Sequence, residues 1–187
     1  MAIDTVGVVG AGTMGNGIAQ VCASAGVSVV MLDVNPIALE KGLVTISASL
    51  DRLVRKEKLT EVEKANVMGR IHATDVLGQL KDVDLVIEAA TESESLKIKI
   101  LKDVEGVVRP DVILASNTSS ISITRLAAAT QRPAQFIGMH FFNPVPLMAL
   151  VELIRGLQTS DETQSSVEAF AKRLGKVSIS VKNSPGF

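Results

Sequence analysis

Val6-Gly7-Val8-Val9-Gly10-Ala11-Gly12-Thr13-Met14-Gly15 is followed by the amphipathic run Ile18-Ala19-Gln20-Val21-Cys22-Ala23 and by Val27-Ser28-Val29-Val30-Met31-Leu32, which ends on Asp33. An apolar strand enters a glycine-rich turn, a helix follows, and a second strand closes on a carboxylate. That is the order of a dinucleotide-binding βαβ unit. Gly10 permits the tight turn out of the strand. Gly12 allows a pyrophosphate to reach main-chain N–H groups where Thr13 and Met14 open the helix, and Gly15 lets that helix pack close to the sheet. A GxGxxG alone is a common turn, so the flanking strands, helix and acidic strand end give the motif its meaning. Asp33 lies 18 residues beyond Gly15, where a carboxylate accepts both hydroxyls of an adenosine ribose and repels a 2′-phosphate. No Lys or Arg stands between Asp33 and Glu40 to receive such a phosphate, and the site therefore reads as NAD rather than NADP.

Composition bounds the rest. With 187 residues, 47% of them apolar and 21% charged, the chain is long enough for one domain with a sizeable core. A net charge of -1 gives no bulk electrostatic reason for a nucleic-acid or anionic-membrane partner. Cys22 is the only cysteine, so an intrachain disulfide and a cysteine zinc cluster are excluded, and no metal site is expected. The chain opens on a strand rather than on a basic segment leading an apolar core, and no apolar stretch reaches the roughly 18 residues of a spanning helix. A cytoplasmic protein is expected.

Short apolar runs alternating with helix-length segments predict an α/β fold of the doubly wound Rossmann type. Eight strands, in a mostly parallel sheet, are expected near 5–9, 27–32, 71–73, 85–88, 112–115, 136–141, 150–154 and 177–180. The gap between the second and third strands exceeds one crossover helix. Pro36 starts a helical pattern that runs to about Lys58, and Thr60-Glu61-Val62-Glu63 reads as the capped start of a second helix. A helical hairpin over about 36–70 therefore projects from a single domain spanning 1–187. On its first arm Ser49 and Lys56, seven apart, share a face with Arg52 close to it, which by spacing alone is a solvated charged face. The closing Asn183-Ser184-Pro185-Gly186-Phe187 reads as a joint to a further segment.

Two ionisable residues interrupt apolar strands. His140 ends Phe136-Ile137-Gly138-Met139-His140-Phe141, the end of a strand at which open α/β sheets bind ligands. Its imidazole changes charge near neutral pH and can take a proton from an alcohol whose carbon gives hydride to NAD. Glu152 stands in Leu150-Val151-Glu152-Leu153-Ile154. It either orients His140 and stabilises the imidazolium or faces solvent on an edge strand, and spacing leaves both open. Asn117-Thr118-Ser119-Ser120 precedes a helix expected over 121–129. One hydroxyl caps that helix and the other is left for a substrate oxygen or the nicotinamide carboxamide. Glu92 and Lys97 follow the fourth strand; either they reach the nicotinamide half of the cofactor or they form an exposed helix pair, which spacing favours. His72 reads as a structural or surface histidine.

GAGTMG, Asp33, EAATE, SNTSS, HFFNPV and NSPGF stand in an order and spacing that resembles the 3-hydroxyacyl-CoA dehydrogenases over the whole chain. HFFNPV with a glutamate twelve residues after its histidine is far more specific than the glycine motif. The resemblance implies that His140 is the general base and Glu152 its orienting partner, with Ser119 and Asn143 touching substrate and nicotinamide. Asp33, Glu92 and Lys97 would contact NAD. Ser49 and Lys56 would meet the CoA portion of a 3-hydroxyacyl-CoA or 3-ketoacyl-CoA in fatty acid metabolism, which overturns the bland reading of that face. It further implies an eight-stranded sheet with its last strands reversed. A helical domain, absent from this chain, would close the cleft and form a homodimer. Two alternatives stand beside it: a nucleotide-binding module without turnover, and a β-hydroxyacid dehydrogenase of the 6-phosphogluconate type, which would use a lysine base and against which HFFNPV argues.

Overall fold

The computed structural model describes residues 2–184; Pro185-Gly186-Phe187 of the closing motif lie outside the described residues. The eight expected strands are present: β1 (Thr5–Val9), β2 (Ser28–Leu32), β3 (Ile71–Thr74), β4 (Leu85–Glu88), β5 (Ile113–Ser116), β6 (Phe136–Phe141), β7 (Leu150–Arg155) and β8 (Val177–Lys182). They form one sheet in the order β3-β2-β1-β4-β5-β6-β7-β8. Six strands run parallel; β7 is antiparallel to β6, and β8 parallel to β7. The chain moves outward from β1 in one direction through β2 and β3, then returns to place β4 on its other flank. This reversal opens a crevice at the carboxyl ends of β1 and β4, where doubly wound sheets bind ligands.

Helices cover both faces. One core layer combines Val6, Val8 and Met31 of the sheet with Ile18 of α1 (Thr13–Ser24), Ile46 and Leu50 of α2 (Pro36–Arg55) and Phe170 of α6 (Asp161–Arg173). The other combines Val86, Leu114 and Phe136 with Leu101 of α4 (Glu94–Glu105) and Leu126 of α5 (Ile123–Ala128). Strands buried on both faces explain the near-continuous apolar runs in the sequence, each fully buried aliphatic side chain being worth about 1.5–3 kcal/mol.

Local sequence sets the helix ends. Asn35 accepts the Ile37 N–H at 3.0 Å ahead of Pro36, fixing the start of α2. Thr60 and Glu63 form the expected reciprocal capping box at the start of α3 (Glu61–Gly69). The first arm ends at Arg55 rather than near Lys58, because the chain reverses through Glu57 with a φ of 55°. The helix expected over 121–129 is shorter, Ile123–Ala128. Its cap is Ser122, which accepts the Arg125 N–H, and the hydroxyls of residues 118–120 are engaged elsewhere.

Candidate active site

Two clefts open at the carboxyl ends of the parallel strands and share Met14, Ala89 and Ala90 as a common wall. The larger, about 700 Å³, lies over the glycine turn and Asp33. Gly10 has a φ of +105°, and a Cβ there would come within 2.8 Å of the Ala89 carbonyl oxygen. At Gly15 a Cβ would sit 1.7 Å from the Gly10 carbonyl oxygen, so α1 can approach the turn only without one. A Cβ at Gly12 would meet nothing within 4 Å; this position faces open cleft at the start of α1. Asp33 accepts the Ala11 N–H at 2.8 Å and the Asn35 N–H at 2.9 Å, which ties the end of β2 to the glycine turn and fixes the carboxylate at the rim. Each of its oxygens keeps a further lone pair for a ribose hydroxyl. An open glycine cradle, helix-end amides and an oriented carboxylate fit a dinucleotide.

The smaller cleft, about 370 Å³, is lined by Ser119, His140 and Asn143, with Asn117 and Glu92. Antiparallel pairing sets His140 directly opposite Glu152, and their side chains meet with Nδ1 2.9 Å from Oε2. Both are 15% exposed. β7 lies between β6 and β8, so the edge-strand alternative for Glu152 falls. A carboxylate on Nδ1 selects the tautomer that carries its proton there and puts the ring's basic lone pair on Nε2. The Phe142 ring covers the imidazole, centroid to centroid 4.6 Å.

Ser119 and Glu92 meet in the same cleft. One Glu92 oxygen accepts the Thr118 hydroxyl, the Ser119 N–H at 2.9 Å, and, at the longer distances of 3.4 and 3.3 Å, the Ser119 and Ser120 hydroxyls. Partial burial pushes Glu92 up, but the Thr118 hydroxyl, the Ser119 N–H and the Lys97 ammonium outweigh it and hold the carboxyl below the usual carboxylate range. Neither serine of the 119–120 pair caps a helix; both hydroxyls lean on Glu92.

Lys97 corrects a second expectation. It is not half of an exposed helix pair but 1% exposed, with its ammonium 2.8 and 2.9 Å from the two oxygens of the fully buried Glu88 and 3.5 Å from Glu92. Glu88 also accepts the Ser116 hydroxyl at 2.6 Å and the Ala90 N–H at 2.8 Å, Ala90 being part of the wall between the clefts. Sequence reasoning missed this network. Its signal was a glutamate closing the apolar run Leu85-Val86-Ile87 with a lysine nine residues on. Ser49 is half-buried on α2 and accepts the Gln20 side-chain N–H at 3.0 Å, whereas Lys56 is exposed just past the end of that helix. His72 is exposed on the edge strand β3.

The family model for the 3-hydroxyacyl-CoA dehydrogenase NAD binding domain matches residues 5–184. The chain belongs to that family, and its cofactor is NAD. The 3-hydroxybutyryl-CoA dehydrogenase of Bradyrhizobium diazoefficiens is 52% identical over 185 residues, covering 99% of this chain and 63% of the relative. A probable 3-hydroxybutyryl-CoA dehydrogenase of Bacillus subtilis is 48% identical over 187 residues, covering 100% of this chain and 65% of the relative. The solved structure of (S)-3-hydroxybutyryl-CoA dehydrogenase PaaH1 from Ralstonia eutropha superposes with a TM-score of 0.98 at 63% identity, covering all of this chain and 66% of that one. The 3-hydroxyacyl-CoA dehydrogenase fold is thus present over a chain that spans less than two thirds of the curated relatives' length.

Proposed function

We propose that this chain is the dinucleotide-binding and base-bearing part of an NAD-dependent 3-hydroxyacyl-CoA dehydrogenase acting on short acyl chains. The observation that carries the reading is the His140–Glu152 pair, 2.9 Å apart, in a cleft that shares a wall with the dinucleotide cleft. Gly10, Gly12, Gly15, Thr13 and Met14 would hold the pyrophosphate, and Asp33 the adenosine ribose. When bound, NAD supplies the hydride acceptor.

His140 Nε2 takes the proton of the 3-hydroxyl as the alcohol carbon is oxidised. Glu152 holds the tautomer that makes Nε2 basic and stabilises the imidazolium that results. In the reverse direction the same nitrogen returns the proton to the 3-keto oxygen. Ser119 and Asn143, both lining the cleft, hold the reacting oxygen and the nicotinamide end. Glu92 orders the Ser119 loop, and Lys97 supports Glu92 from below. The CoA nucleotide lies along α2, where Ser49 and the exposed Lys56 stand. Cleft closure and homodimer contacts are assigned to the part of the relatives' length that this chain does not span.

The experiment joins this chain to the remaining third of a relative and follows oxidation of 3-hydroxybutyryl-CoA together with NADH binding. His140→Gln loses about 10²- to 10⁴-fold in rate, the usual worth of general-base assistance, while NADH affinity is retained. Near-wild-type oxidation by that variant would defeat the mechanism. Binding of NADH by every version of the chain with turnover by none would instead leave only a nucleotide-binding module. A lysine-based mechanism of the 6-phosphogluconate type is disfavoured, because among the described residues no lysine lines the cleft around His140.

A further inference from the structure

The pairing of β5 with β6 ends at Ser116 opposite Gly138, yet β6 runs on for three more residues to Phe141. The gap is bridged by a side chain. Asn117 Oδ1 accepts the Phe141 N–H at 2.8 Å, while the Asn117 main-chain N–H donates to the Glu88 carbonyl at 2.8 Å. Asn117 thus continues the sheet on both sides, its main chain toward β4 and its side chain toward β6. The Phe141 N–H belongs to the peptide plane that leaves the Cα of His140. Fixing that plane fixes the backbone from which the imidazole projects. Glu152 restrains the ring itself, through Nδ1. Because a main-chain N–H can only donate, the atom facing it must be the amide oxygen, and the flip of Asn117 is determined. Its NH₂ then belongs to the remaining environment of the side chain, and Asn117 lines the cleft with Ser119 and His140. Among the described residues no acceptor bonds that NH₂.

We infer that Asn117 is a positioning residue for His140, anchoring the His140–Phe141 peptide through its oxygen and presenting an N–H donor to a carbonyl or alkoxide oxygen in the cleft. The inference rests on the reading of His140 as the base. It assigns the aim of the base to two residues on different strands: Glu152 sets the ring, and Asn117 sets the backbone.

The chain carries two histidines, of which His72 is exposed on the far edge of the sheet and serves as an internal control. Histidine ring signals followed by NMR as pH is varied report the placement of His140 without turnover. Asn117→Asp keeps the oxygen that accepts the Phe141 N–H but replaces the donor with a negative charge. Two carboxylates already line this cleft or face its base, Glu92 from the loop after β4 and Glu152 from β7. The His140 ring signals of Asn117→Asp stay nearer to wild type than those of Asn117→Ala, because the oxygen that anchors the Phe141 N–H is kept, and the His72 signals do not move. Asn117→Ala displaces or broadens the His140 signals alone. In the version extended to the relatives' length it lowers kcat for hydroxyacyl-CoA oxidation about 10- to 100-fold, the scale of a misplaced catalytic group, with little change in NADH affinity. His140 signals in Asn117→Ala identical to wild type overturn the inference, as does a kcat loss without any change at His140. If Asn117→Ala does not fold, Asn117→Gln, whose longer side chain moves the amide oxygen off the Phe141 N–H, takes its place. Failure of His140 as base would show in His140→Gln kinetics and leave the NMR result standing, so the two readings fail separately.

Discussion

Replacing Lys97 by Met leaves the Glu88 carboxylate, itself wholly buried, without its cation. The pair lies at 0% and 1% exposure, so water cannot take the place of the lost ammonium. Removing one partner of such a pair typically costs about 3–5 kcal/mol. Two neighbours soften the loss, since Glu88 keeps the Ser116 hydroxyl at 2.6 Å and the Ala90 N–H at 2.8 Å, which places the expected cost near the lower end, about 3 kcal/mol. For a domain of this size, about 2–4 °C of melting temperature follows each kcal/mol, so Lys97→Met melts roughly 6–12 °C below wild type. The control is Arg125→Met, which breaks a pair with Glu94 in which the arginine is 70% exposed and costs less than about 1 kcal/mol. Adding Glu88→Leu to Lys97→Met removes the stranded charge and recovers part of the loss. Urea and thermal unfolding of the four proteins measure all of this. A Lys97→Met chain within about 1 kcal/mol of wild type would refute the view that this pair is dry and mutually dependent.

Gly12→Ala and Gly15→Ala separate binding from folding. The first keeps the melting temperature, because its Cβ meets nothing within 4 Å, and loses NADH affinity by calorimetry; the second is overpacked against the Gly10 carbonyl and unfolds at least about 1–3 kcal/mol more easily. Equal stability of the two variants would contradict the geometry. Partial burial raises Asp84, but the Asp4 and Thr5 N–H groups and the Arg109 guanidinium outweigh it and hold the carboxyl below its ordinary range. A depressed carboxylate stabilises the fold above its unfolded value and loses that contribution as pH falls through its folded value. The unfolding free energy of Asp84→Asn therefore changes less between pH 7 and acid than wild type does, and identical pH slopes would disprove it. Burial pushes the Cys22 thiol up to about 12, with Arg173 and Lys176 pulling weakly the other way. Thiol reagents at pH 8 then label Cys22 only as fast as the chain opens, and immediate native-state labelling would show that it is accessible.

Much of the fold could be read from local pattern because local pattern causes it. Gly10, Gly12 and Gly15 do what their spacing requires, and the Thr60–Glu63 box forms because both partners lie within one helical turn. The His140–Glu152 contact was legible as a pairing of two misplaced ionisable residues, but whether β7 lay inside the sheet depended on β8, which starts at Val177, well downstream of both residues. Lys97 shows the opposite limit. On α4, whose sequence mixes charges with aliphatics, nothing local distinguishes a lysine facing water from one facing a glutamate at the end of β4. Asn117 escaped notice for a related reason: its partner is a main-chain N–H, which has no residue identity to read. Ser122 is the helix cap because the helix starts at Ile123 and its hydroxyl accepts the Arg125 N–H, whereas the Thr118 hydroxyl accepts the Ser120 and Ile121 N–H groups in the turn before the helix while donating to Glu92.

The reversal of β7 has a consequence for how this site can diversify. His140 and Glu152 are matched across an antiparallel ladder from Ile137 opposite Arg155 to Phe141 opposite Val151, and the ladder is set by pleat and pairing rather than by the tip that joins the strands. The exposed residues 146–149 can therefore change while the proton-handling pair stays in register, whereas Phe142 and Asn143 line the cleft and Val145 is held in the core. A one-residue insertion inside either strand instead turns one partner to the opposite face of the sheet. The alignment of the base with its carboxylate is thus insulated from change in the exposed tip a few residues away.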